Sequence, residues 1–265
     1  RLICLQSTYC QCSRPRLVEV PCERFDANVP IRNLILTTKA YSAKEAFESV
    51  RQRLLPDAHV ILLCNGALSV AEQLDYTRIH YALTTHGVYR EEEDESTMYS
   101  IVHAGYGTTF LENYEPMAQL WDGAGLNCRN VEHLHDLLWK KLAANCVINP
   151  LTALFRCPNS DIRNLPNFES KRHALLHELA HVYKLETPDC NRSVETLEHE
   201  FREYVETVIS DTARNKSSML GDVENHRKTE IEDLSGYVVK LGAKHGIICP
   251  ANDDLLQSIR RLEPT

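Results

Sequence analysis

The sequence predicts two domains of different class, an α/β part over residues 1–130 and an all-α part over residues 131–265. Two observations carry this reading. In the first half, short continuous apolar runs alternate with helical patterns, the signature of a parallel sheet with crossover helices. Beyond about residue 130 the apolar spacing becomes wholly helical. A length of 265 residues suits one large domain or two ordinary ones.

The elements follow in order. Asn33–Lys39 reads as a buried strand bounded by polar residues. Ser42–Leu55 has helical spacing, with Ser42 and Glu45 as a capping box and Pro56 as its stop. His59–Cys64 is a second buried strand, closed by the Asn65–Gly66 turn. A short helix over Val70–Leu74 and a strand over Arg78–Thr84 come next. The acidic run Glu91–Glu95 reads as a solvated loop, and Tyr99–His103 with Gly107–Phe110 as a hairpin. Helical spacing then covers Val131–Leu154, Ser170–Leu185, Thr196–Arg214 and Glu224–His245. Pro150 should kink or end the first of these. His245–Gly246 is a helix stop, Pro250 lies just beyond it, and Asn252 suits the N-cap of a last helix. The chain shows no internal repeat and no low-complexity segment.

Composition excludes several classes. The chain is 43% hydrophobic and 25% charged, which is ordinary for a globular protein and not for a disordered one. Lys and Arg number 29 against 37 Asp and Glu, a formal charge of −8, so the cation excess that neutralises phosphate backbones is missing and nucleic acid is not an expected partner. No apolar run reaches the roughly 18 residues of a membrane span. No secretory signal pattern is visible, which points to the cytoplasm and to reduced thiols. Ten cysteines are too sparse for a disulfide scaffold. Cys4, Cys10, Cys12 and Cys22 cluster near the start, but without the paired C-x-x-C spacing of a zinc site. Residue 1 is arginine, as expected of a fragment, a processed chain or an incomplete gene model.

His177-Glu-Leu-Ala-His181 matches H-E-x-x-H, in which two histidines one helical turn apart hold zinc and the glutamate activates water. The match is short in a chain with 12 histidines, and the Gly and third His of the longer zinc-protease motif are missing. Glu198 is the available further ligand for a zinc peptidase. The plainer reading is a polar helix face, and no metal is expected.

Two other stretches combine polar residues with apolar context. Lys141, Asn145 and Asn149 are spaced i, i+4, i+8, which puts a cation and two carboxamides along one helix face. Leu142, Cys146, Val147 and Ile148 beside them are apolar, so that face meets a cleft and not open water. A lysine can give a proton to a carbonyl oxygen, and amides can bind a carboxylate or hydroxyl without adding charge. In the second stretch, Ser218 and Asp222 stand one helical turn apart, followed by Arg227 and Glu230, which could position a substrate hydroxyl.

These stretches resemble the ketopantoate reductase (2-dehydropantoate 2-reductase) family. The resemblance runs through L-W-K-K-L-A-A-N-C-V-I-N-P-L-T-A-L, C-P-N, S-S-M-L-G-D, R-K-T-E-I and G-I-I-C-P-A-N. It reaches the α/β half in T-T-K-A-Y, C-N-G, T-T-H-G and H-A-G-Y-G-T-T, and so covers the chain from about residue 30 onward. It implies a Rossmann-like NADP-binding domain over residues 1–130 and a helical substrate and catalytic domain over 131–265, with the active site in the cleft between them.

The implied activity is reduction of ketopantoate to pantoate with NADPH, on the route to pantothenate and coenzyme A. By the resemblance, Lys141 is the general acid, and Glu230 orients the substrate and approaches the cofactor. Asn145, Asn149, Asn159 and Ser218 fall at substrate-binding positions. Lys39, Asn65 and the Val88 backbone fall on the cofactor side, Arg227 has a supporting role, and homodimer contacts through the helical domain are implied.

The chain also departs from the family. The opening strand, G-x-G-x-x-G turn and helix that hold a dinucleotide's pyrophosphate are missing; aligned by Lys39, the chain starts roughly thirty residues late. Gly105–Gly107 and Gly123–Gly125 lack the third glycine, and Ser235 stands where the family has Asn. Weak NADPH binding and reduced stability are therefore expected. The alternative from another class is a shortened, non-catalytic paralogue that serves as a binding partner, and a further option is a related 2-oxoacid as substrate.

Overall fold

A computed structural model describes residues 2–7, 16–19, 28–91 and 99–264. The chain divides into two compact units. One holds Arg1–Thr38, Ala43–Cys64 and Leu74–Leu134, and the other Lys39–Ser42, Asn65–Gln73 and His135–Thr265.

The first unit is built on β-structure. Its five-stranded sheet runs in the order β3 (Ile31–Leu36), β4 (Leu54–Leu62), β5 (Ile79–Thr84), β8 (Thr109–Glu112), β9 (Cys128–Val131). The pairs β3–β4, β4–β5 and β8–β9 are parallel and β5–β8 is antiparallel. A second sheet has the order β2 (Arg16–Glu19), β1 (Leu2–Ser7), β7 (Tyr99–Gly105), β6 (Gly87–Glu91), in which β1–β7 is parallel. The helix α1 (Ala40–Val50), whose first residues belong to the second unit, follows β3; α2 (Ala67–Gln73), which belongs wholly to the second unit, follows β4; and α3 (Glu115–Gly123) joins β8 to β9. The continuous apolar run Val60–Leu62 on β4 is fully buried, as a central strand requires. Ile61 packs with Ala82, Leu111, Met117, Ala118 and Trp121 of the following elements.

The second unit is helical. It contains α4 (His135–Phe155), α5 (Phe168–Glu186), α6 (Val194–Asp211), α7 (Ser218–Glu224), α8 (Ser235–Lys244) and α9 (Pro250–Arg260). One continuous core joins them, with Trp139, Tyr183 and Phe201 fully buried at its centre. Thirteen of the 21 residues of α4 are buried, so this helix is apolar nearly all round and runs through that core. Among the described residues, no helix is long and apolar enough to cross a membrane.

Several sequence expectations need correction. The strand over 33–39 is β3, which lies at the edge of its sheet and leaves Ile35 exposed. Helix α1 ends at Val50, and Pro56 sits inside β4 instead of stopping the helix. Ser42 lies within α1 and does not begin it; the Ala40 N–H at the helix start is taken by Glu230, 190 residues away in sequence. The proposed hairpin over 99–110 is not one: β7 and β8 belong to different sheets. The chain changes sheet at Tyr106–Thr108, beside the similar crossing at Thr85–His86, and a Cβ at Gly107 would lie 2.5 Å from the Thr85 backbone. Helix α4 begins at His135, because β9 takes Cys128–Val131, and it continues through Pro150. There the Thr152 hydroxyl donates to the carbonyls of Ile148 and Asn149. The helix expected over 224–245 breaks into α7, an irregular stretch, a short 3-10 turn at Ile231–Asp233, and α8. Asn252 lies in the first turn of α9, whose N-cap is Cys249. The acidic run beyond Glu91 lies outside the described residues, as do the side chains of Cys4, Cys10, Cys12 and Cys22.

Candidate active site

The break after α7 creates the site. His226 adopts a left-handed conformation at φ +49°, which turns the chain back on itself. The Arg227 N–H then donates to the Asp222 carbonyl at 2.8 Å, and its Nε to Asp222 Oδ1 at 3.2 Å. Thr229 pins the next turn by donating from both its N–H and its hydroxyl to Glu263 Oε1. Glu230 is thereby held in place, only 5% exposed.

Three polar groups converge on that buried carboxylate. The Ala40 N–H donates to Oε1 at 3.0 Å. Asn65 Nδ2 donates to Oε2 at 3.3 Å, and the Lys39 ammonium stands 3.6 Å from Oε2. An acidic group at a helix N-terminus is favoured by the exposed N–H groups and by the helix dipole. Asn65 reaches Glu230 because Asn65–Gly66 turns tightly. Gly66 has φ +66°, and a Cβ there would meet Asp233 Cβ at 2.9 Å. Asp233, itself buried, accepts from Ser69 Oγ at 2.8 Å and Gln73 Nε2 at 3.3 Å, and so fastens α2. Burial pushes its carboxyl up, outweighing those hydrogen bonds, and the neighbouring charges of Glu230 and Glu232 push the same way.

Lys39 has a closer partner that the sequence reading gave no role. Asp222, 4% exposed, accepts its ammonium on Oδ2 at 2.6 Å. Burial pulls the Lys39 ammonium down, but the Asp222 hydrogen bond and the charges of Glu230 and Asp222 outweigh it, so its pKa lies above the ordinary lysine value. The only signal for Asp222 in the sequence was its one-turn spacing from Ser218, a pattern that many exposed pairs share.

Sequence candidates are thus brought together in part. Lys39, Asn65 and Glu230 form one cluster, Asn65 joined to Glu230 by a hydrogen bond and Lys39 by an ion pair. Lys141, Asn145 and Asn149 lie along α4 as the spacing predicts, the first two half-buried and Asn149 buried. Asn159 is buried at the start of a 3-10 turn; its Nδ2 donates to Thr212 Oγ1 at 2.9 Å, and its Oδ1 has no hydrogen-bond partner among the described residues. Ser218 is exposed as the first residue of α7, while its neighbour Ser217 is buried, caps that helix through Leu220 N, and pairs with Thr152 of α4. Val88 lies on β6 in the other unit with an exposed side chain, outside this cluster.

The H-E-x-x-H residues are otherwise engaged. Glu178 accepts the N–H groups of Ala251 and Asn252 at 2.7 and 3.0 Å, and also Asn252 Nδ2, so it caps α9. His177 and His173 share the Glu198 carboxylate through their Nδ1 atoms. Among the described residues, no group of three or more His, Cys, Asp or Glu is arranged to hold a metal ion.

Comparison with known proteins agrees with this arrangement of elements. The family described as "Ketopantoate reductase PanE/ApbA" matches residues 6–116, and "Ketopantoate reductase PanE/ApbA C terminal" matches residues 133–263. A 2-dehydropantoate 2-reductase from Salmonella typhimurium is 31% identical over 238 residues, spanning 87% of this chain and 74% of that protein. The structure of a PanE/ApbA family ketopantoate reductase from Ralstonia eutropha JMP134 superposes with a TM-score of 0.83 at 20% identity, covering 98% of this chain and 84% of that one. A D-mandelate dehydrogenase structure with NADH and anilino(oxo)acetate superposes with a TM-score of 0.82 at 19% identity, covering 97% and 84%. Two family matches in order along the chain, together with a relative above 30% identity, establish that the chain belongs to the ketopantoate reductase family.

Proposed function

We propose that this protein reduces 2-dehydropantoate (ketopantoate) to pantoate with NADPH. The observation that carries the reading is the buried Glu230 carboxylate, held by Ala40, Asn65 and Lys39, in a chain matched by the family over both halves. In this reading residues 1–130 bind the cofactor, and residues 131–265 bind the substrate and carry the chemistry.

The cluster suits the nicotinamide end of a pyridine nucleotide. A carboxamide and a half-buried cation stand ready for hydrogen bonding, and Lys39, Asn65 and Glu230 would hold that end. The G-x-G-x-x-G turn that cradles pyrophosphate is not among the 265 residues. When bound, the cofactor supplies the hydride that reduces the ketone carbon.

The protein's own residues handle charge and orientation. Negative charge builds on the ketone oxygen, and a lysine ammonium both stabilises that charge and gives up a proton to it. Lys141 Nζ takes this role. Glu230 accepts a hydrogen bond from the substrate hydroxyl, which fixes the carbonyl carbon. The carboxamides of Asn145, Asn149 and Asn159 and the Ser218 hydroxyl bind the remaining polar groups without adding charge. Asn159 Oδ1, without a partner among the described residues, is one acceptor available to the substrate.

The test is NADPH consumption on addition of ketopantoate, at saturating cofactor, with pyruvate and glyoxylate as competing 2-oxoacids. Turnover selective for ketopantoate supports the reading. Turnover selective for another 2-oxoacid overturns the substrate assignment. No turnover with any of them, at full cofactor occupancy, overturns the reductase reading.

A further inference from the structure

Two carboxylates compete for one ammonium in this cluster. Asp222 and Glu230 are each about 5% exposed or less, and Lys39 lies 2.6 Å from the first and 3.6 Å from the second. Arg227 adds a second cation, but it reaches Asp222 and comes from the solvent side, with a side chain 53% exposed. A buried carboxylate without a counter-charge is strongly disfavoured, so the single ammonium must settle where the local field is most negative. That place is Asp222. Glu230 is left with neutral donors, the Ala40 N–H and the Asn65 amide, and a longer contact to the cation.

We propose that Asp222 is a positioning residue that anchors the Lys39 ammonium and so keeps Glu230 Oε2 open to a substrate hydroxyl. This rests on the reductase reading above, in which Glu230 orients the substrate. If the Asp222 charge is removed, Lys39 has one buried carboxylate left and closes on it. The ammonium then occupies the lone pair that the substrate hydroxyl requires. Arg227 is poised to hold Asp222 from the other oxygen, which frees Asp222 Oδ2 for Lys39. Among the described residues, Asp222 on α7, Glu230 before the 3-10 turn and Tyr41 in the first turn of α1 act on Lys39, and Arg227 acts on Asp222 and Tyr41. Lys228 sits over the Tyr41 ring at 4.9 Å.

The experiment compares Asp222→Asn in two backgrounds, wild type and Lys39→Met, by steady-state kinetics and lysine NMR. In the wild-type background the substitution should lower kcat/KM by about a hundredfold, chiefly through KM for the 2-oxoacid, as expected when an orienting group is displaced. In the Lys39→Met background it should change kcat/KM by less than about threefold, because Lys39 can no longer close on Glu230. Equal losses in both backgrounds overturn the proposal. The second readout is independent of turnover. In a chain labelled with 13C and 15N lysine, the Lys39 Nζ titration should fall to lower pH in Asp222→Asn, whereas an Asp222 that merely supports the fold would lower the melting temperature and leave that midpoint in place. An unmoved midpoint overturns the proposal. Should wild type fail to turn over any 2-oxoacid, the reductase reading falls, and the Lys39 midpoint still decides whether Asp222 anchors the ammonium.

Discussion

The backbone N–H of Ala40 donates to the carboxylate of Glu230 at 3.0 Å, across 190 residues of sequence. One hydrogen bond therefore both starts helix α1 and fixes the candidate substrate-orienting group. Glu230→Ala should orphan a buried donor and cost about 1–3 kcal/mol of stability in urea unfolding. Glu230→Gln retains a carbonyl oxygen for Ala40, so it should cost less than about 1 kcal/mol while still lowering turnover about a hundredfold. A Glu230→Ala chain as stable as wild type would contradict this linkage.

Glu178 caps helix α9 through Ala251 and Asn252, and this structural use separates it from the zinc-protease role of its motif. Glu178→Ala should lose about 1–3 kcal/mol, with the N–H groups of Ala251 and Asn252 left without this acceptor. Added zinc should not raise the melting temperature of wild type, and the purified chain should carry less than about 0.1 zinc per chain by elemental analysis. Stoichiometric zinc would restore the peptidase reading.

Stability should fall in acid, in part through Glu186. Burial pushes its carboxyl up, but hydrogen bonds from Lys244 and His245 outweigh this, and its pKa lies below the ordinary glutamate value. A carboxylate with a depressed folded pKa contributes fully above its unfolded value of about 4.3, and that contribution is lost as pH falls through the folded value. Urea midpoints measured from pH 7 to pH 3 should therefore drop less steeply below pH 5 in Glu186→Gln than in wild type. Identical profiles would remove Glu186 from the acid response.

The sequence was most legible where local periodicity decides structure. Helices α5 and α6 lie within two or three residues of their expected ends, because their spacing and the Ser193 cap are local signals. Lys141, Asn145 and Asn149 share α4 for the same reason. The errors fell where distant partners decide. Helix α4 runs through Pro150 because its buried flanks hold it, a cost that isolated spacing rules cannot offset. The break at His226 was hidden because the apolar spacing carries on through Ile231, Leu234 and Val238, all buried, although the backbone between is irregular. Ser42 and Glu45 fit a capping box, but Glu230 reached the helix start first. Asp222 looked like any acidic helix residue until Lys39 was seen beside it.

The central claim is that Lys141 delivers the proton in ketopantoate reduction, and product formation by Lys141→Ala tests it most directly. The account predicts that pantoate formation falls by a factor of about 10² to 10⁴. Pantoate formation at the wild-type rate in Lys141→Ala would contradict it.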